Sequence, residues 1–261
     1  MAPAVVPRAA FISPGQALVA TALASCGAAV VSACLSMDQW LEQTMDPVAA
    51  TAVAAYEDDA AWVRVDQVLL KSSGQEKTPP AGAVFGSLGA ETNAIKLYRI
   101  YAKRDGSEVV AVATFGGPAA CGHPGVVHGG LTATLFDNTL GFANGVSKLA
   151  EDGDLAPLIA SFETGAAPVR KPSTGRFGFT ASLTVNYRRP CLATGTVELR
   201  CKLDDTSGRK RMLTGTMVDV ATGHTVADAS ALFILPRPPP PSLWQRALAL
   251  VGLGPAVAVA A

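Results

Sequence analysis

The chain carries no surplus of charge. Its 21 Lys and Arg balance 21 Asp and Glu over 261 residues, and charged residues reach only 16%. A phosphate backbone is held by an excess of Lys and Arg, so nucleic acid is excluded as the principal partner. Aromatic residues stand at 6%, too few for a base-stacking platform. Histidine is scarcer still, with His123, His128 and His224 only, and the five cysteines (Cys26, Cys34, Cys121, Cys191 and Cys201) form no C-x-x-C pair. A metal site therefore lacks a ligand set, and no metal or other cofactor is expected. The odd cysteine count, in a chain long enough to build its own core, argues against a disulfide framework and for thiols in a reducing compartment. The G-x-S-x-G turn of serine hydrolases is also missing.

Apolar residues, by contrast, make up 49%, and Ala alone supplies 46 positions, so propensity inflates every helix reading and periodicity must decide. The length suits one domain with extensions. Residues 1–37 hold one charge, Arg8, and the 21 residues 17–37 hold none. That run is long enough for a membrane span, although Ser25, Gly27 and Ser32 interrupt it. Acid-poor, Ala- and Ser-bearing starts are also typical of transit peptides. Three readings stay open: a cleaved segment directing the chain to a mitochondrion or chloroplast, an anchor giving membrane association through 17–37, or a plain extension. Residues 38–93 read as a helical extension and linker. The Asp46-Pro47 pair marks a helix start, with the helix running to about Lys71, and 72–91 reads as a connecting segment. The far end, 236–261, opens on Pro236-Arg237-Pro238-Pro239-Pro240-Pro241, which terminates any strand before it. The apolar residues that follow read as a loose tail, a packed helix or a membrane-surface contact.

Between these ends, 94–235 shows a strand–strand–helix–four-strand order. Residues 94–103 and 108–115 read as strands joined at Lys103-Arg104-Asp105-Gly106. A Gly-rich stretch precedes one strongly apolar helix from Gly129 to about Leu149. Phe179, Ala181, Leu183, Val185 and Tyr187 then alternate with polar residues, as do Val197, Leu199, Cys201 and Leu203. Residues 211–219 and 225–235 complete the strands. Short links between sequential strands predict an antiparallel sheet, with the long helix covering one face. Residues 151–175 show no clear period and read as an insertion or the wall of a ligand site.

The chemistry concentrates around Cys121-Gly122-His123-Pro124-Gly125-Val126-Val127-His128-Gly129-Gly130. Gly129 and Gly130 sit where strand gives way to helix. The first N–H groups there are unpaired and carry the positive end of the helix dipole. Glycine lets a substrate oxygen approach the backbone, which suits a carbonyl whose oxygen gains charge in a transition state. Asp137 follows eight residues later among Leu135, Phe136 and Leu140. An acid buried among apolar residues is costly unless paired or functional, and a carboxylate there can act as general base or nucleophile.

His128-Gly129-Gly130, six further residues and then Asp137, on the long helix between strand sets, resembles the hotdog-fold acyl-CoA thioesterases of the phenylacetate-type branch. Thr184-Val185-Asn186-Tyr187-Arg188-Arg189-Pro190 is similar to that family's third strand and its exit. The resemblance spans 94–235. It implies an α+β hotdog fold, an antiparallel sheet wrapped around one long central helix, here with an N-terminal helical extension. It implies hydrolysis of acyl-CoA, with the Gly129 N–H polarising the thioester carbonyl, Asp137 as the catalytic carboxylate, His128 structural or orienting, and Thr180 positioning the water or the carboxylate. It further implies a homodimer or dimer of dimers with Gly129 of one chain facing Asp137 of the other. Gly130 and Asn138 flank these groups as substrate contacts, and Arg188, Arg189, Lys210 and Arg211 are candidates for the CoA phosphates. Family members often carry Asn or Gln six residues before the motif histidine; here that position is Gly122, and two readings stay open: His123 beside it substitutes, or the second donor is missing and activity is lower. The competing reading is a dimer that binds acyl thioesters or a protein partner without turnover. A hotdog dehydratase is disfavoured, because the helix lacks a D-x-x-x-x-H pair.

Overall fold

The computed structural model describes residues 45–66, 88, 92–165 and 178–237. The run 17–37, nearly all of the linker 72–91, residues 166–177 and the tail beyond Arg237 lie outside these residues. Among the described residues, no helix is long and apolar enough to cross a membrane.

Helix α1 (Pro47–Glu57) begins as its cap predicts: the Asp46 carboxylate accepts the Val48 N–H at 2.7 Å, and Pro47 takes the first helical position. It stops at Glu57, far short of Lys71. Asp59 turns the chain there, its carboxylate accepting the Ala61 N–H at 2.9 Å and its carbonyl the Trp62 N–H at 3.0 Å. The bulky and β-branched residues that follow form strand β1 (Trp62–Arg64).

Six longer strands complete the main sheet: β2 (Ile95–Lys103), β3 (Val109–Phe115), β6 (Phe179–Tyr187), β7 (Thr196–Ser207), β8 (Lys210–Asp219) and β9 (Thr225–Ile234). Two short strands, β4 (Cys121–His123) and β5 (Val126–Val127), form a separate hairpin. The main sheet runs β1-β2-β3-β7-β8-β9-β6, with every neighbouring pair antiparallel. Helix α2 (Gly129–Glu151) is 23 residues long and lies across one face. Its apolar residues recur every three to four positions, and Leu135, Phe136, Leu140, Ala143, Val146 and Leu149 pack on Ala111, Leu199, Leu213, Met217, Ala229 and Ala231 of the sheet. The sheet wrapped around one long helix is the hotdog arrangement implied by the resemblance.

The helical extension has a definite place: α1 covers the opposite face over β2 and β3. Ala49, Ala52, Val53 and Tyr56 pack on Leu97, Tyr101, Val110 and Val112. Two polar ties hold it, with Arg99 and Tyr101 both donating to Glu57 (2.9 and 2.8 Å) and Tyr56 donating to Glu198 at 2.6 Å. This is why β3 is buried on both faces and reads as a continuous apolar run.

The segment 151–175 differs from expectation. Helix α3 (Leu155–Thr164) occupies its centre, burying Leu155, Leu158 and Ile159 at i, i+3, i+4 and ending at Gly165 in the left-handed region. Strand β6 also departs from strict alternation. Thr180 pairs with Phe233 and Ser182 with Leu232, so β6 carries one extra residue there. That bulge puts Thr180 on the same helix-facing side as Leu183, Val185 and Tyr187. Among the described residues β6 pairs only with β9, and no strand lies along its other edge.

Candidate active site

The start of α2 is built by the β4–β5 hairpin. His123 pairs with Val126 across Pro124 and Gly125, and Gly125 has φ +75°, which the turn requires. The hairpin is tied to the chain leaving β6, because Val127 N–H donates to the Cys191 carbonyl at 2.9 Å and Ala193 N–H to the Gly125 carbonyl at 3.0 Å. His128 then caps the helix. Its Nδ1 accepts the Gly130 N–H at 2.9 Å, so the ring proton resides on Nε2. The His128 carbonyl accepts both the Leu131 and Thr132 N–H groups, at 2.9 and 3.2 Å. The first turn thus satisfies three of its four leading donors. Among the described residues none accepts the fourth, the Gly129 N–H.

Gly129 lines a cavity of about 460 Å³. Val126, Val127, Thr132, Met217, Val226 and Ala227 form its apolar wall, and His123, Tyr187, Arg188 and Arg189 supply its polar groups. The structure therefore gathers Gly129, His123, Arg188 and Arg189 at one cavity. The two arginines differ in freedom. Arg188 is paired with Asp228, which also accepts from Asn186 at 2.7 Å. These partners hold the Asp228 carboxyl below the usual range. Arg189 has no carboxylate partner among the described residues.

Cys191 also lines the cavity, but burial, followed by the Asp219 charge, pushes its thiol up to about 12. It stays protonated at neutral pH and is not a nucleophile. A cation-free apolar interior with a basic mouth and one unclaimed backbone donor can accept a carbonyl compound whose distal part is anionic.

Asp137 is not buried among its sequence neighbours. Successive helical residues step by about 100°, so Leu135, Phe136 and Leu140 point into the core while Asp137 faces outward. The penalty expected for a buried acid does not arise. What the structure does bring to Asp137 is Thr180, whose hydroxyl donates to Oδ1 at 2.9 Å. Among the described residues no donor reaches Oδ2.

Asn138 is not at the cavity. Its Oδ1 accepts from the Tyr98 hydroxyl at 3.0 Å, joining the helix to β2. Lys210 and Arg211 do not line the cavity either. Arg211 is only 2% exposed and lies under the second half of α2, donating at 2.8 Å to Asn144, Ser147 and Glu151. A rim position for it is excluded. Gly130 spends its N–H on His128 rather than on a ligand.

Sequence reasoning passed over Tyr187 as a site residue. Its hydroxyl donates to the Gly129 carbonyl at 2.7 Å and its ring lines the cavity. The available signal was position: an aromatic at the end of an edge strand, in phase with the helix-facing residues Leu183 and Val185.

A family model described as the thioesterase superfamily matches residues 124–223. A curated relative, acyl-coenzyme A thioesterase THEM4 of Bos taurus, is 28% identical over 137 residues, covering 52% of this chain and 45% of that protein. The chain thus spans less than half the length of that relative. Similar solved structures include zebrafish thioesterase superfamily member 2, at 15% identity and TM-score 0.38, covering 50% of this chain and 75% of that one. Another is a hypothetical thioesterase protein with coenzyme A from Streptococcus pneumoniae TIGR4, at 15% identity and TM-score 0.38, covering 54% and 89%.

Proposed function

We propose that this chain hydrolyses acyl-CoA thioesters to the free acid and CoA, a reading supported by the match of residues 124–223 to the thioesterase superfamily model. The observation that carries this reading is the Gly129 N–H, the leading donor of α2 that none of the described residues claims, on a residue that lines an apolar cavity together with Arg189. A thioester carbonyl placed against that donor has its developing negative charge met by a backbone dipole at a helix start.

The carboxylate must come from a second copy. Eight residues at 1.5 Å each put Asp137 about 12 Å along the axis from Gly129 in one chain. A general base must lie within one hydrogen bond of the proton it takes, or two through water, a reach of about 6 Å. A two-fold axis removes the gap. Within a chain, Tyr187 touches Gly129 and Thr180 touches Asp137. An axis passing between these contacts, near Ala133 of α2 and Leu183 of β6, sets the Thr180–Asp137 end of one chain beside the Tyr187–Gly129 end of the other. The open edge of β6 and the 75% exposure of Phe179 favour such pairing of two β6 strands. On this reading Asp137 takes a proton from water as the water oxygen bonds to the carbonyl carbon. The oxyanion rests on Gly129 N–H, then the C–S bond breaks and the thiolate receives the proton from Asp137. Direct attack by Asp137 through an anhydride uses the same groups. His123, which lines the same cavity, is the proposed second donor to the carbonyl oxygen.

The test is an acyl-CoA panel, from short to long chains, against the wild type and Asp137→Asn. Hydrolysis by the first and a loss of at least about a hundredfold in the second are expected. An inactive wild type that still binds acyl-CoA would establish the non-catalytic reading instead, and an Asn variant as active as an active wild type would remove Asp137 from the mechanism.

A further inference from the structure

We propose that Tyr187 is a positioning residue that fixes the Gly129 donor through the Gly129 carbonyl; this rests on the hydrolytic reading of the same site. Gly129 and Gly130 are consecutive glycines at the first turn of a helix, the place where a helix is least restrained and the residue type that restrains it least. A donor that must meet a developing oxyanion needs a fixed direction. Two peptide planes flank the Gly129 Cα. The His128–Gly129 plane is held through its carbonyl by Leu131 and Thr132, which leaves its N–H free for the cavity. The Gly129–Gly130 plane is held on its N–H side by His128 Nδ1 at 2.9 Å and on its carbonyl side by Tyr187 Oη at 2.7 Å.

Of these restraints, the first two are local to the turn. Tyr187 lies on β6, 58 positions further on, so it alone of the three ties this turn to the sheet. The fit is mutual. A Cβ built on Gly129 would stand 3.3 Å from Tyr187 Oη and 3.4 Å from Cζ, so the ring packs closely over the glycine and a side chain there would press on it. Tyr187 is itself 56% exposed, and its removal from the hydrogen bond leaves the core untouched. A rate effect can therefore be separated from a folding effect.

The experiment compares wild type, Tyr187→Phe and Tyr187→Met on the acyl-CoA that the wild type hydrolyses best. It also records the stretching band of a 13C-labelled thioester carbonyl bound to Asp137→Asn, with and without Tyr187→Phe. The expected result is kcat lower by about five- to tenfold with KM within about twofold, the loss of one oriented hydrogen bond. The bound carbonyl band should move back toward its free position. A band and a kcat equal to wild type would overturn the proposal, as would a raised KM at unchanged kcat, which marks a mere cavity wall. Met keeps bulk without a donor, so it should repeat the Phe result; if neither variant folds, Tyr187 is structural and the proposal falls. An inactive wild type sinks the hydrolytic reading, whereas an active wild type matched by Tyr187→Phe sinks only this one.

Discussion

Replacing Arg211 with Met separates a ligand contact from a structural clamp. The guanidinium makes three hydrogen bonds of 2.8 Å, to Asn144 Oδ1, Ser147 Oγ and Glu151 Oε2, all on α2. Hydrogen bonds to a charged donor contribute about 1.5–3 kcal/mol each, but three on one group do not add. Glu151 is 42% exposed and rehydrates when released, so its share is small. Ser147 keeps its bond to the Ala143 carbonyl at 2.7 Å, whereas the buried Asn144 Oδ1 loses the guanidinium. Met returns part of the lost packing. The net cost is about 3 kcal/mol. In a chain of this size that is a Tm lower by about 6–12 °C. Calorimetry reads the shift, and KM for acyl-CoA below the transition should be unchanged. A Tm within about 2 °C of wild type together with a several-fold higher KM would refute the reasoning and return Arg211 to the phosphates.

Three further outcomes follow from the geometry. Thr180→Ala should lower kcat by about three- to tenfold by freeing Asp137 Oδ1, and Thr180→Ser should restore it; equal rates for all three would remove Thr180 from the site. Arg189→Gln should raise KM for CoA esters more than Arg188→Gln does, with the difference shrinking at high salt, because Arg188 is already committed to Asp228. The Asp228 carboxyl is held low first by the Arg188 hydrogen bond and then by Asn186, so the pair is intact above the ordinary carboxylate range and lost as pH falls through the depressed value. Carbon NMR of Asp228 should show a midpoint below the free aspartate value of about 3.9, moving upward in Arg188→Gln.

Elements with a sustained period were legible in the sequence, and short or interrupted ones were not. α2 and six strands repeat apolar residues often enough to be read within a few positions. β4 and β5 span three and two residues, too short to show any period. α3 carries Pro157 in its first turn and only three buried residues, so its pattern resembles a loop until its i, i+3, i+4 spacing is aligned. The end of α1 hinged on the Asp58-Asp59 turn, whose local hydrogen bonds outcompeted further extension of the alanine-rich helix. Arg211 was misplaced for a different reason. It shares strand parity with Leu213 and Met217, both fully buried, so alternation already pointed it inward; charge alone suggested the rim.

The link between Thr180 and Asp137 shows where the reading by alternation has to fail. Strict period two sets Thr180 with Ser182, Thr184 and Asn186, on the face away from the helix, and from there its hydroxyl cannot reach α2. The extra residue between Thr180 and Ser182 reverses the phase at one end of β6 only. Thr180 then joins Tyr187 on the helix-facing side, at opposite ends of one strand, each hydrogen-bonded to one of the two groups proposed to act on the thioester. Deleting Ala181 should therefore leave this contact in place. With the extra residue gone, strict alternation from Ser182 still sets Thr180 on the helix-facing side, opposite Phe233, and the Leu183, Val185 and Tyr187 contacts stay in register with β9. Asp137 keeps its donor and Gly129 its Tyr187 bond, so kcat should stay within about twofold of wild type, and Thr180→Ala should cost as much in the shortened strand as in the full one. A deletion that by itself lowers kcat as far as Thr180→Ala, with no further loss on combination, would show that the bulge itself, and not the phase of Thr180, brings the hydroxyl to the carboxylate.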